Sequence, residues 1–421
     1  MSQGMSQGIS QTATPRAASG ARPAYVPGGG EAWRRPWAGY AALRDHDPVH
    51  HVVPERRPEA DYYVLTRHAD VLATAVDTAV FSSAHGLTVE YGELERIGLA
   101  DNPPLVMLDP PGHTAFRRLV SRGFTPRQVQ EIEPAVRSYV AERVERIAAR
   151  GHGDIVAELF KPLPSMVVAH YLGVPAEDRD RFDGWTDAIV AASSTGPDAG
   201  TGAADATAEM LGYFSALVDR RRTSPGDDTL SHLVAAGVGD DTGGIVSILG
   251  YVFAMVTGGN DTTTGALGGA VQLLAQHPDQ RAALAAEPGL IRAAVEELLR
   301  LTSPVQGLAR TVTRDVELHG VRIPAGRKVL LHYGAANRDP RRYGPDADEL
   351  DVHRSPSQIL TFGQGAHHCL GSAAARMQVR VALEELLGRV PYFRVDPDAV
   401  TWAPGPYVRR PLTVPFEVDP R

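Results

Sequence analysis

TFGQGAHHCLG, residues 361–371, holds the single cysteine of the 421-residue chain. A lone cysteine is ordinarily a small buried hydrophobe that another residue can replace. Its surroundings argue otherwise here. Gly363, Gly365 and Gly371 allow tight bends and a close approach of the backbone to another group. The segment that follows, AAARMQVRVALEELLG, carries apolar and charged positions at helical spacing. Cys369 is therefore expected where a glycine-rich loop delivers the chain into a helix N-terminus, a place where free N–H groups and the helix dipole favour a thiolate. A thiolate with room beside it is a nucleophile or a metal ligand. One cysteine also excludes an intramolecular disulfide, a zinc site built from cysteines and a four-cysteine iron–sulfur cluster.

Outward from this loop, the chain carries 42 basic and 50 acidic residues, a formal net charge of −8, and has no basic tract, so no nucleic-acid footprint is expected. Residues 1–24 are polar and rich in small residues and read as a disordered N-terminal tail. No signal-peptide core or membrane-spanning run is read, so no membrane anchor is expected and the location is expected to be cytoplasmic. Without a convincing linker or repeat, residues 25–421 read as one large domain. Helices are expected over 36–45, 68–76, 112–123, 126–149, 154–172, 176–193, 202–223, 227–236, 243–276, 278–285, 288–301 and 373–388. VHHVV, DYYVLT, VELHGVRI, KVLLHYG and PLTVPFEV read as short strands. The fold class is mainly α with a small β region.

Two helical segments break their own rules. The long apolar run 243–276 contains Gly258 and Gly259, then Asn260, Asp261 and three threonines. Each interior glycine costs about 1 kcal/mol against alanine, and Asp and Thr prefer caps to helix centres. A local distortion beside a ligand is expected there, against the plainer reading of a small-residue packing contact. In AAVEELLRL, Glu297 and Arg300 fall on one face between apolar flanks, as a buried pair that needs further hydrogen bonds. His46, His50 and His51 read as a solvated surface cluster at the start of a strand rather than as a metal site.

Together these pieces resemble the cytochrome P450 family of haem-thiolate monooxygenases. The F-G-x-G-x-H-x-C-x-G signature falls on Phe362, Gly363, Gly365, His367, Cys369 and Gly371, the E-x-x-R pair on Glu297 and Arg300, and the G-G-x-D-T-T stretch on Gly258 to Thr263. DPPGHTAFRRLV looks like the family's helix beside the haem, and the order along the chain is the family's order. The sequence is most similar to soluble actinobacterial members of a mycobacterial type. The resemblance implies haem b, iron protoporphyrin IX, with Cys369 as proximal ligand and Phe362 shielding the sulphur. It implies propionate contacts from His113, Arg117, Arg310 and His367, leaves His368 a bystander, and adds Arg354 to Glu297 and Arg300 as structural support. Asp261 and Thr262 match an acid–alcohol pair that delivers protons during oxygen activation, with Gly258 and Gly259 making room for O2 and water.

The expected reaction inserts one oxygen atom from O2 into a hydrophobic organic substrate. With no dinucleotide fingerprint in the chain, electrons are expected from a ferredoxin and an NAD(P)H-dependent ferredoxin reductase. A basic patch of Arg117, Arg118, Arg122, Arg376 and Arg380 would suit an acidic ferredoxin. The substrate pocket is expected to take Leu87, Val89, Leu94, Ile97 and Met107 from the loop after residue 84. Met255, Val256, Gly259, Val305, Gly307 and Leu308 would complete its wall, with Tyr91, Glu93, Glu95 or Gln306 orienting a polar group. Oxidative coupling on the same haem chemistry is the alternative within enzymes. A haem-binding sensor or carrier without turnover is the alternative of another class, disfavoured by the retained Asp261–Thr262 pair.

Overall fold

The long apolar run forms one helix, Thr242–Gln276, against which helices Pro162–Tyr171, Ile291–Thr302 and Ser372–Arg389 pack in the computed structural model, which describes residues 23–195 and 201–419. The expected tail lies outside the described residues except for Pro23 and Ala24. Asp241 caps the start of the long helix by accepting from the Gly244 N–H at 2.7 Å. Pro278 opens the next helix, Pro278–Ala286, in the position where its missing N–H does no harm.

The helix runs through Gly258–Thr263, where a local distortion is expected, without a break. Its polar side chains find partners one turn back. Thr257 donates to the Phe253 carbonyl at 2.9 Å, Asn260 to Val256 at 2.6 Å and Thr262 to Gly258 at 2.8 Å. Such local bonds engage these donors without opening the helix, while Asn260 Oδ1 stays buried without a hydrogen-bond partner.

Helix Pro126–Arg150 starts in a capping box between Thr125 and Gln128, stops at Gly151 with φ 84°, and packs along the C-terminal helix Ser372–Arg389. Arg137 joins the two by reaching Glu384 and Glu385, each at 2.6 Å. The helix expected over 154–172 divides instead into strand His152–Asp154, a π-helical turn Val156–Phe160 and helix Pro162–Tyr171. Pro162 and Pro164 lack the N–H an interior helical position requires, so the regular helix can only begin there.

The main sheet runs in the order Val49–Val52, Tyr62–Leu65, Lys328–Leu331, Leu308–Val312, Phe81–Ser82, with Tyr62–Leu65 and Lys328–Leu331 parallel and the other pairs antiparallel. Leu308–Val312 and Phe81–Ser82 were not expected as strands. PLTVPFEV splits into Pro411–Thr413 and Pro415–Val418, which join different sheets. His50 and His51 pair with Asp47 and Asp61 at 2.9 and 2.7 Å, and no group of side chains fit to hold a metal occurs among the described residues.

His332, at the end of the Lys328–Leu331 strand, is 2 % exposed and lies 4.4 Å from the Tyr40 ring, and its Nδ1 accepts from the Ala335 N–H. Burial pushes its pKa down to about 3 from an ordinary 6.5. The unfolded chain therefore binds a proton below about pH 6.5 that the folded chain refuses. This contribution is fully present above that pH and is lost as pH falls toward 3. Asn can take over the cap in His332→Asn. In urea titrations at stepped pH, that variant should show an acid-side slope shallower by about 1.4 kcal/mol per pH unit.

Candidate active site

The cysteine loop is built from its supports inward. Leu360 and Thr361 are held by Asn337, which is fully buried: its Oδ1 accepts from the Leu360 N–H at 2.7 Å, and its Nδ2 donates to Thr361 Oγ1 at 3.0 Å and to Ser303 Oγ at 2.7 Å. Thr361 in turn donates to the Leu299 carbonyl at 2.8 Å. Below them Glu297 and Arg300 are both 0 % exposed and bridge through two 2.7 Å bonds. Arg300 also donates to the carbonyls of Asn337 and Ala347, and Arg354 binds Glu297 at 3.1 Å and Asp346 at 2.8 Å. The pair thus has the extra hydrogen bonds that a buried ion pair requires.

Within the loop, Gly363 and Gly365 adopt φ 63° and 72°. A Cβ on Gly365 would stand 2.9 Å from the Ala75 carbonyl, so this position needs glycine twice over. Gly371 does not share that constraint. Its φ is −85°, and nothing lies within 4 Å of a Cβ placed there. The Cys369 N–H donates to the Phe362 carbonyl at 2.8 Å, and Arg376 lies over the Phe362 ring at 4.4 Å.

Cys369 stands three residues before the helix, which starts at Ser372. Its side chain is exposed, yet the surrounding protein withdraws it from bulk water and pushes the thiol pKa up. The Gly371 N–H, Arg117 and Arg376 pull the other way without reversing it. The expected thiolate is therefore not secured by the helix terminus, because desolvation outweighs it. A bound metal cation would secure it, since a coordinating thiol is deprotonated outright.

His113 and His367 lie with ring centroids 4.2 Å apart. Both His113 nitrogens and His367 Nε2 are buried without a hydrogen-bond partner. Burial, with Arg310 and Arg117 nearby, holds His367 at about 3 and lowers His113, so both rings are neutral at pH 7. Arg310 is 3 % exposed and donates to the carbonyl of its own neighbour, Ala309. Arg117 donates to the His368 carbonyl. Two arginines and two imidazoles with free nitrogens form a donor set for carboxylates. Together with one uncontested thiol, these residues fit a haem and its two propionates.

Leu370 packs against the cluster that contains Tyr251, Val252 and Val256 of the long helix, so the cysteine loop and the Gly258 stretch border one interior region. Gly258 is exposed, with nothing within 4 Å of a Cβ, whereas Gly259 is closed off by Val168, 2.7 Å from such an atom. The two glycines therefore differ: one opens the helix face and the other allows close packing. Asp261 is 15 % exposed and pairs with Arg410 at 3.0 Å, and burial raises its pKa to about 6. Thr262 is half-buried.

The expected pocket wall is not one surface. Leu94 and Met107 are buried, Leu87 is half-buried, and Met255 is partly buried between two core clusters. Val256 is fully enclosed in the core. Val89 packs with Tyr62, Val64 and Leu330 on one sheet face, while Val305 and Leu308 pack with Val329 and Leu331 on the other, because side chains alternate along a strand. Gly307 is pressed against Leu330 and the Leu331 carbonyl, and Ile97 is 48 % exposed. Tyr91 donates to the Asp61 carbonyl, Glu93 accepts from Thr88, and Gln306 bonds Tyr40 and Ser303, so these three have structural partners. In the expected basic patch, Arg376 is bound to Glu296 at 2.5 Å and Arg380 to Glu133 and Glu384 at 2.5 and 3.0 Å, leaving Arg118 and Arg122 as its exposed members.

Sequence reasoning missed Arg410 and Asn337. Arg410 lies far along the chain from its partner, and nothing around it marks it. Asn337 follows a short apolar run with no motif of its own.

Comparisons with known proteins agree with this geometry. The family model described as Cytochrome P450 matches residues 246–401. The chain is 66 % identical over 390 residues to Cytochrome P450 130 of Mycobacterium tuberculosis, covering 92 % of this chain and 96 % of that protein. It is 36 % identical to the Vitamin D(3) 25-hydroxylase of Pseudonocardia autotrophica over 93 % of this chain and 96 % of the relative. The structure of Cytochrome P450 CYP109Q5 from Chondromyces apiculatus superposes with a TM-score of 0.80 at 33 % identity, covering 93 % of this chain and 97 % of that one.

Proposed function

The chain belongs to the cytochrome P450 family of haem-thiolate monooxygenases, and on that premise we propose that Cys369 is the thiolate that holds the haem iron and that Asp261 and Thr262 handle protons on the oxygen side. The observation that carries this reading is the meeting, around one interior region, of the chain's single cysteine with buried Arg310 and His113 and half-buried His367, where both His113 ring nitrogens and His367 Nε2 lack partners. Arg310, Arg117, His113 and His367 would hold the propionates. Phe362 carries the backbone bond that fixes the Cys369 N–H. When bound, the haem supplies the activation of O2 and the insertion of one oxygen atom into the substrate.

The chain's own part is proton handling. The Thr262 hydroxyl donates to the Gly258 carbonyl, which leaves its lone pairs free to accept from a water. Asp261, raised to about 6, exchanges protons with solvent close to neutral pH and can pass them toward that water. The open face at Gly258 gives the water room.

Electrons are assigned to a separate ferredoxin and its NAD(P)H-dependent reductase, the exposed Arg118 and Arg122 offering the docking charge. A cytoplasmic location suits such partners. The substrate is assigned as a bulky hydrophobic organic molecule. Leu94, Met107 and Met255 support this, as does the relative whose name gives vitamin D(3) as its substrate.

Thr262→Ala tests the proton role. Haem and substrate should bind as in wild type, because alanine is at least as good a helix former. With a reconstituted reductase chain, NAD(P)H consumption should continue while product per NAD(P)H falls severalfold and hydrogen peroxide rises. Wild-type coupling in this variant, on a substrate that the parent oxidises with good coupling, would remove Thr262 from the relay.

A further inference from the structure

Asp261 does not act from the long helix alone. Its Oδ1 lies 3.0 Å from Nε of Arg410, and the two side chains are 15 % and 7 % exposed. Arg410 belongs to the C-terminal hairpin formed by Thr401–Trp402 and Pro411–Thr413. That hairpin is seated on the helix at two glycines. A Cβ on Gly265, one turn past Asp261, would stand 2.8 Å from the Arg409 carbonyl, and one on Gly268 would stand 2.5 Å from Pro411 Cγ. Any larger residue would lift the hairpin away.

The root of Arg410 is fixed as well. The Ala403 N–H donates to the Arg410 carbonyl at 2.9 Å, and the Arg409 N–H to Pro304 at 2.8 Å. The Arg409 side chain lies over Trp402 at 4.1 Å and Trp37 at 5.0 Å, and its Nε donates to the Trp33 carbonyl. A guanidinium on so rigid a base is held at the Asp261 carboxylate.

We propose that Arg410 is a positioning residue for the oxygenation reaction: it holds Asp261 ionised and oriented, so that the C-terminal hairpin sets the pH range in which Asp261 relays protons. The inference rests on the relay role given to Asp261 above. Two cations act on this carboxylate, Arg410 in contact and Lys161 from beyond it, and Lys161 is itself engaged with Asp187 at 2.9 Å. Burial pushes the carboxyl up, and Arg410 is the larger force holding it down. Without that charge, burial acts against Lys161 alone and the acid titrates higher, staying protonated at pH 7.

The test uses haem-loaded resting protein and reads the Asp261 carboxyl by infrared difference spectroscopy over a pH series, its band assigned by loss in Asp261→Asn. Arg410→Gln should move the midpoint up by about one to three pH units, and Arg410→Lys, which keeps the charge, by much less. The pH profile of product per NAD(P)H should move in the same direction in Arg410→Gln. Adding Arg410→Gln to Asp261→Asn should leave that profile where Asp261→Asn alone puts it. A retained Soret band and melting temperature check that each variant folds, and Arg410→Met, which also removes the charge, carries the test if Arg410→Gln does not fold. An unmoved midpoint would overturn the proposal. So would an equal shift of the profile in the Asp261→Asn background, which would mark a general structural effect. A midpoint that moves while the profile stays would overturn the relay role of Asp261, and with it the reaction role of Arg410, while leaving the ion pair intact.

Discussion

Cys369→Ser should abolish the thiolate form of the protein. No second cysteine exists to replace it, and a serine hydroxyl cannot be ionised near neutrality as a thiol can on binding a metal cation. The expected result is a purified protein with little haem, or with haem that lacks the thiolate-type absorption of the ferrous–CO complex, and no turnover. The loop itself should persist, because the Cys369 N–H bond to Phe362 is a backbone bond. Circular dichroism and thermal melting should therefore show folded protein. A thiolate-type spectrum from the serine variant would show that the ligand lies elsewhere.

The second large effect concerns stability. Glu297 is fully buried and accepts from Arg300 twice, from Arg354 and from the Asp351 N–H. Glu297→Ala leaves the Arg300 guanidinium buried without its carboxylate. Removing one partner of a buried ion pair costs about 3–5 kcal/mol, a large share of the stability of an ordinary domain. Urea unfolding should show that loss, with haem retention falling in step because Arg300 also holds the Asn337 carbonyl. Replacing Glu297 and Arg300 together by leucine and methionine should recover part of the loss, since an apolar pair strands no charge. Wild-type stability of Glu297→Ala would mean that water reaches the pair.

Much of this was legible in the sequence, for reasons that differ by element. The long helices were readable because apolar periodicity over many residues admits few alternatives, as in Thr242–Gln276 and Pro126–Arg150. Leu308–Val312 was not, because its Arg310 and the preceding Pro-Val-Gln-Gly break the alternation, and the strand exists only through its pairing with Lys328–Leu331. The span 154–172 is not one helix because Pro162 and Pro164 outweigh its apolar periodicity. The cysteine loop was plain because glycines at special φ leave a mark in sequence. The pocket wall was not, because Val89 and Leu308 differ in which sheet face they take, and that is decided by register. The partnership of Asp261 with Arg410 is a contact between distant segments, which no local pattern announces.

Every bond that Asn337 makes to the loop is a bond between protein groups: Leu360, Thr361 and Ser303 are all it holds through its side chain. The shape of residues 360–361 is thus paid for by the polypeptide and not by its cofactor. A chain newly released from the ribosome can set this segment before any porphyrin arrives. The ordering entropy of residues 360–361 is therefore met by bonds within the protein and not by cofactor binding.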